Sequence, residues 1–309
     1  MKEPLRKTGE FLLRGLLFLF ALPPLGVHRF NAAWLAFLIR KVFRYRVALV
    51  RENLRHAFPE MSEAGREKVL CRFYRHLADI IVEAIWFGGC RRGGKRLRES
   101  RIVSVKNPEI LDAAYGMSPS VMVMYTHAGN WELLGGMENY NHTGRPFPVR
   151  EDNFCVVYLR QTNRTWDNIM KSNRFAPLKE KKSFSGYVES RSLVRYALTH
   201  RAERKIYNVN TDQRPYFSAP DFIRVNFLNR ECNTMSAAAA LAVKLGMSVF
   251  YQRMEVNEDG CGYSIEYVPV CDDASKMPVE DIMHRYYALL EEDIRKQPFN
   301  YLWTHNRWG

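Results

Sequence analysis

His127 and Glu132 are the residues whose types and spacing most directly suggest chemistry. They lie in the stretch Val121-Met122-Val123-Met124-Tyr125-Thr126-His127-Ala128-Gly129-Asn130-Trp131-Glu132. Val121 to Tyr125 is a short apolar run of strand character. His127 and Gly129 break that pattern, and Trp131-Glu132-Leu133-Leu134 reads as the first turn of a helix. A strand that delivers a histidine into a turn at a helix start holds a base at a rim. Glu132 lies too far along for adjacent helical faces. With His127 in the turn, its carboxylate can instead fold back toward the imidazole. A carboxylate on one ring nitrogen fixes the tautomer and stabilises the imidazolium, which leaves the other nitrogen to take a proton. No serine, cysteine or metal-ligand cluster accompanies the pair. The expected chemistry is therefore proton removal from a substrate hydroxyl. Taken alone, the spacing fits a capped turn with a packed histidine at least as well.

Other stretches add to it in order: Tyr45-Arg46 to Pro59-Glu60, Tyr158 to Asp167, Asp212-Gln213, and Trp303-x-His305-x-Arg307. Together with His127-x-x-Asn130-Trp131-Glu132, this set resembles the glycerolipid acyltransferases. Within them it is similar to the lipid A late acyltransferases, the lauroyl and myristoyl transferases of bacterial outer-membrane assembly. The resemblance covers nearly the whole chain. It implies an α/β fold and transfer of a fatty acyl chain from a thioester to a hydroxyl of a lipid A precursor. The donor would be an acyl carrier protein or coenzyme A thioester, a substrate, with no cofactor and no metal. His127 would be the general base and Glu132 its orienting carboxylate. Asn130, Arg160 and Asp212 would bind substrate, and backbone N–H groups at Gly129-Asn130 would meet a developing oxyanion. The family usually has a basic residue directly after the tyrosine; Leu159 stands there, with Arg160 one step later. A guanidinium at Arg160 suits a phosphate or the thioester side of the donor, and an aspartate after a strand, like Asp212, is also a common turn cap. Arg253, Trp303, His305 and Arg307 match family positions expected to be structural.

Length and composition agree with a globular, basic protein. At 309 residues the chain is long enough for a substantial core in one large or two modest domains. Hydrophobic content of 47% excludes general disorder. The formal charge of +13 points to nucleic acid, an anionic membrane surface or an acidic protein. The basic residues are spread along the chain without an aromatic-basic motif, which argues against nucleic acid. Six scattered cysteines, with no C-x-x-C pair, fit a reducing compartment.

The elements that must position these residues follow from the pattern. Leu16 to Val27 is uncharged but interrupted by Pro23-Pro24 and short for a spanning helix. Ala32 to Ile39 follows, flanked by Arg40, Lys41, Arg44 and Arg46. No small-x-small cleavage site appears, so residues 1–45 are expected to be a retained membrane anchor, with an acyltransferase domain over 46–309. Pro59-Glu60-Met61-Ser62 opens an amphipathic helix ended by Gly88-Gly89. Arg91, Arg92, Lys95, Arg96 and Arg98 then crowd a loop that is either solvated or a basic lip for anionic partners; Lys179, Lys181 and Lys182 mark a second. Cys155 to Tyr158 and Ile206 to Val209 are short buried strands, and a helix runs to about Arg174. Leu193 to Leu198 reads as helix and Ile223 to Phe227 as a half-buried strand. Ser236 to Leu245, stopped by Gly246, is a closely packed helix. Strands at Met247 to Arg253 and Gly262 to Val268 join at Asn257-Glu258-Asp259-Gly260, and Pro278 opens a last helix.

Strands alternating with helices, plus a terminal hairpin, predict an α/β protein with a mixed, mostly parallel sheet flanked by helices. Strand ends carrying His127, Arg160 and Asp212 would converge on one rim. The expected setting is the cytoplasmic face of a bacterial inner membrane, with membrane lipids as neighbours. Two alternatives stay open. One is an acyltransferase for another glycolipid or an aminolipid. The other is a non-catalytic basic protein that holds lipids at a membrane surface.

Overall fold

The computed structural model describes residues 3–91, 93–179, 184–215 and 222–308. Helices α1 (Glu3–Ala21) and α2 (Leu25–Phe37) come first, and α2 continues through one π-helical turn, Leu38–Val42. Helix α3 (Val47–Ala57) leads to the long α4 (Glu63–Phe87). Ser62 caps α4 by accepting the Gly65 N–H at 3.2 Å, and the chain leaves it at Gly88, as the sequence predicts. Then follow α5 (Lys95–Ser100), β1 (Val103–Val105), α6 (Pro108–Met117), β2 (Val121–Tyr125) and a 3₁₀ helix, Trp131–Asn139. Strand β3 (Phe154–Tyr158), α7 (Arg164–Arg174), β4 (Tyr187–Glu189), α8 (Leu193–Thr199) and β5 (Ile206–Asn210) complete the middle of the chain. A hairpin of β6 (Ile223–Phe227) and β7 (Arg230–Thr234) precedes α9 (Ala237–Leu245). Strands β8 (Ser248–Val256) and β9 (Tyr263–Cys271) and helix α10 (Val279–Lys296) end the fold.

Seven strands form one sheet in the order β1-β9-β8-β2-β5-β3-β4. Five of them, β8, β2, β5, β3 and β4, run parallel, while β9 turns back against β8 and carries β1 alongside it. The architecture is thus α/β with a mixed, mostly parallel sheet flanked by helices, as the alternation of elements predicts. Strand β2 lies in the middle with all five residues buried, as expected for a strand covered on both faces. Its Met122 and Met124 enter one hydrophobic core, with α9 and α10; Val121, Val123 and Tyr125 enter the other. Strand ends on one rim of such a sheet are where the chain leaves regular structure, and β2, β3 and β5 deliver His127, Arg160 and Asp212 there.

The N-terminal helices differ from a simple anchor. No described helix is by itself long and apolar enough to cross a membrane. Arg6–Ala21 and Leu25–Val42 together have the length and composition of a span, but they bend by 112° at the proline pair. Helix α2 also packs on the body: Ala32 and Ala78 are fully buried together with Val82, and Arg29 reaches Glu83 at 3.5 Å. Helix α1 is tied to α7 through Asn168, which donates to Glu10 and accepts from Arg14. The outer faces keep large apolar side chains exposed, including Phe11, Phe30, Trp34 and Phe43.

The basic loop after α4 has a definite task. Arg96 donates to the Ala21 and Pro23 carbonyls at 2.8 and 2.7 Å and stacks over Trp86. Arg98 binds Gly93 O and the Asn139 side chain, and Arg91 lies over the Phe18 ring. Arg96 and Arg91 thus fasten the bend of the helical hairpin, while Arg98 ties the loop to the 3₁₀ helix. Lys95 is exposed and pairs with Glu99; Arg92, Lys181 and Lys182 lie outside the described residues.

Candidate active site

The site grows from the adjacency of β2 and β5. Their parallel register sets Tyr125 opposite Asn210, so residues two steps beyond each strand end, His127 and Asp212, meet. His127 Nδ1 and Asp212 Oδ1 are 2.7 Å apart, and the His127 backbone N–H donates to Oδ2 at 3.0 Å. Asp212 is 1% exposed. Burial alone would raise its carboxyl, but the charge of His127 and these two hydrogen bonds outweigh it and hold the group below its usual value. The ionised carboxylate therefore keeps the proton on Nδ1 and leaves the Nε2 lone pair outward. An imidazole held this way can take a proton at Nε2. Gln213 places its amide nitrogen 3.3 Å from Nε2, and the Trp131 ring stands edge-on at 4.9 Å.

The carboxylate on the imidazole is thus Asp212 and not Glu132, which corrects the sequence-based pairing. The physical reason lies in α7. Arg174, at its end, takes both Glu132 oxygens at 2.6 and 2.8 Å and donates as well to Tyr187 Oη. Glu132 is 8% exposed, and a bidentate guanidinium is the stronger partner for a buried carboxylate. Asn130 is also placed differently. It is fully buried, accepts the Glu132 N–H and donates to Glu83 and the Ile80 carbonyl on α4. Its carboxamide caps the 3₁₀ helix and ties it to α4, facing the body of the protein. The Gly129 N–H, expected to be an oxyanion donor, is taken by Asn300 Oδ1 at 2.7 Å. Arg160 is exposed beside Tyr158.

Gly129 is required for two independent reasons. Its φ of +67° lies in the left-handed region, and a Cβ there would stand 2.4 Å from the Met254 side chain. Beneath the turn, His76 on α4 is buried and hydrogen-bonds the Gly129 backbone and Asn300. Desolvation pushes its imidazole down to about 4, so it is neutral. Glu83, buried beside it on α4, accepts from Asn130 and from Tyr263 Oη; burial raises its carboxyl despite those bonds.

A deep cavity of about 270 Å³ opens at His127, Trp131, Glu132 and Gln213. Its walls are otherwise largely apolar, with Val149, Phe154, Val156, Phe175, Leu178 and Phe184 among them. An apolar cavity with a few convergent polar groups is the usual form of a ligand site. Among the described residues, no three His, Cys, Asp or Glu side chains are gathered to hold a metal. The terminal motif divides. Trp303 donates to Pro298 O, Arg307 is buried against Tyr287 Oη and Asn233 O, and Arg253 pairs with Asp293. His305, by contrast, sits with its ring 5.6 Å from that of His127. Sequence reasoning left out Arg174, Asn300, His76 and Glu83. Each is remote in sequence and carries no spacing signal of its own.

Comparison with known proteins places the chain among relatives of one kind. A lipid A biosynthesis acyltransferase of Haemophilus influenzae is 24% identical over 273 residues, spanning 87% of this chain and 79% of that protein. A lipid A biosynthesis palmitoleoyltransferase of Escherichia coli is 24% identical over 306 residues, spanning 95% and 89%. The family model described as bacterial lipid A biosynthesis acyltransferase matches residues 2–309. By that match over the whole described fold, the chain belongs to the bacterial lipid A biosynthesis acyltransferases.

Proposed function

We propose that this acyltransferase moves a fatty acyl chain from a thioester donor, carried by acyl carrier protein or coenzyme A, to a hydroxyl of a lipid A precursor. The observation that carries the reading is the imidazole of His127, bound at Nδ1 by a buried carboxylate, with the Gln213 amide at Nε2, on the lining of a cavity with a mostly apolar wall. His127 Nε2 takes the hydroxyl proton as the oxygen attacks the thioester carbon. Asp212 stabilises the imidazolium. The tetrahedral intermediate then collapses, the C–S bond breaks, and the proton passes from His127 to the leaving thiolate. The acyl chain of the donor lies in the cavity walled by Phe154, Val156, Phe175 and Leu178. The Gln213 amide, which lines the same cavity beside Nε2, is a donor for the oxyanion. Glu132 and Arg174 act as a fixed ion pair that frames this wall. Arg160, exposed on the same rim, suits a phosphate of either substrate.

The exposed apolar face of α1 and α2, with Arg40, Lys41, Arg44 and Arg46 at its end, supports residence on the cytoplasmic surface of an anionic membrane, inserted from one side. His127→Ala is the deciding experiment. Assayed with acyl carrier protein thioester and a lipid A precursor, it should lose about 10²–10⁴ or more in rate while its circular dichroism stays unchanged. A folded variant at wild-type rate would overturn the catalytic assignment. Acyl transfer would then have to be carried by other groups of the site.

A further inference from the structure

The His127 imidazole has a second neighbourhood besides the deep cavity. On another side stands His305, and His305 lines a separate, open groove of about 580 Å³. The groove is walled by Ile39 and Phe43 from the π-helical end of α2, Leu77 and Ile81 from one face of α4, and Leu302. Spacing of four residues puts Leu77 and Ile81 together on that face. Ile39 and Leu77 pack inward against the core, while Phe43 is 72% exposed and continuous with the bare apolar surface of the N-terminal hairpin. The polar members are Arg46, which donates to Thr304 O, Tyr45 and His305. A trough of this kind runs from the region read as membrane-facing to His305, whose ring stands 5.6 Å from that of His127.

We propose that this groove is a second lipid subsite, which takes one hydrocarbon chain of the acceptor lipid and brings the acceptor hydroxyl to His127 past His305. The proposal rests on the reading of the protein as an acyltransferase toward a membrane lipid. Three observations favour an acceptor chain over other occupants. The walls are hydrocarbon-like over most of their length, which suits an alkyl chain with no backbone groups to satisfy. The lining includes the exposed aromatic residues Phe43 and Tyr45, so a chain can slide in from a bilayer without crossing water. The exposed Arg44 and Arg46 beside them complement an anionic headgroup. The cavity lined by His127, Trp131 and Glu132 is left for the donor chain, so the two substrates occupy different pockets. Burial first, and then the charge of His127, hold His305 below the usual histidine value.

The test is to fill the groove. Ile81 is partly exposed on its wall, and Ile81→Trp adds bulk there without entering the core; Ile81→Ala removes bulk instead. For each variant kcat/KM is measured with a lipid A precursor bearing its full chains and with the same headgroup carrying shortened chains. Excluding even two methylenes from an apolar site is a ~10-fold effect. In Ile81→Trp the long-chain to short-chain ratio should therefore fall ~10-fold or more, through KM for the acceptor. In Ile81→Ala it should move far less. An unchanged ratio in Ile81→Trp would overturn the proposal, and so would a shift in donor chain-length preference in its place. If the wild-type protein acylated neither acceptor, the functional reading would fall by itself. The groove would then be judged by photolabelling with a diazirine-bearing long-chain lysophospholipid in detergent. Label on peptides holding Leu77, Ile81 and Leu302 supports the subsite, and label elsewhere rejects it.

Discussion

Glu132 and Asp212 are both buried carboxylates close to the 126–130 turn, and they have different partners. Asp212 faces an imidazole whose charge changes during a proton transfer. Glu132 faces a guanidinium that is charged throughout. Two single substitutions should therefore fail in different ways. Asp212→Asn is expected to keep the melting temperature near wild type in its folded form but to lower the rate ~10²–10⁴-fold, because the tautomer and the imidazolium lose their support. Glu132→Gln leaves Arg174 buried without its counter-charge, which costs about 3 kcal/mol for a largely buried pair. Its main signature should be a lowered melting temperature, recovered in part by Arg174→Met in the same chain. If Glu132→Gln melted like wild type yet lost as much rate as Asp212→Asn, Glu132 would be acting at the imidazole after all. His127, Asp212 and Gln213 were each legible as polar residues at strand ends. Their convergence was not, because the two strands are neighbours across 85 residues of chain. Local spacing instead suggested Glu132, whose real partner sits 42 residues away on α7.

At the scale of elements, the turn after β2 rests on α4. Ile80, Glu83 and His76 all contact it, and Asn300 closes it from the other side. This arrangement has a pH consequence. His76 is ordinary in the unfolded chain but held down to about 4 in the folded one, first by desolvation. Between those values the unfolded state binds the additional proton, so stability rises with pH across the window and falls as pH drops from about 6.5 toward 4. The loss attributable to this group is up to about 3 kcal/mol. Urea midpoints taken at pH 7, 5.5 and 4.5 should decline, and His76→Gln should decline less steeply. Equal slopes would assign the acid sensitivity to other groups. Helices α4, α9 and α10 and strands β2, β3, β5, β8 and β9 were readable from sequence because each carried either a helical stripe or a buried apolar run, whereas α3 and α6 were not read as helices. Ser62 and Gly246 mark real helix limits. Strands β1 and β4 have three residues each, too few for any periodicity, and the segment after Asn130 tightened into a 3₁₀ helix because Asn130 caps it against α4.

Over the whole molecule, the +13 charge is spread along the chain, and part of it lies beside the exposed apolar residues. Arg96 is engaged in holding the hairpin bend, and Arg91 and Arg98 are exposed with partners of their own. Exposed cations on or next to the apolar helices include Lys7 and Arg14 on α1 and Lys41, Arg44 and Arg46 after α2. Deleting the hairpin would be a poor test of membrane binding, since α2 buries Ala32 against Ala78 and places Arg29 near Glu83. Its removal would bare Ala78 and Val82 on α4 and take Arg29 away from Glu83, the carboxylate that holds Asn130 of the active-site turn. Phe30 and Trp34 are better probes, being 71% and 65% exposed on the outer face of α2. Each large side chain moved from water into lipid contributes about 1.5–3 kcal/mol. Phe30→Ser with Trp34→Ser should thus lower partitioning onto vesicles rich in anionic lipid by ~100-fold or more, with an unchanged melting temperature. Binding of the wild-type protein should also weaken as salt rises from 0.05 to about 0.5 M, because exposed charges are screened beyond ~10 Å at 0.1 M. Undiminished partitioning of the double variant in a vesicle co-sedimentation assay would move the membrane face off α2, and with it the exposed lining of the groove at Phe43.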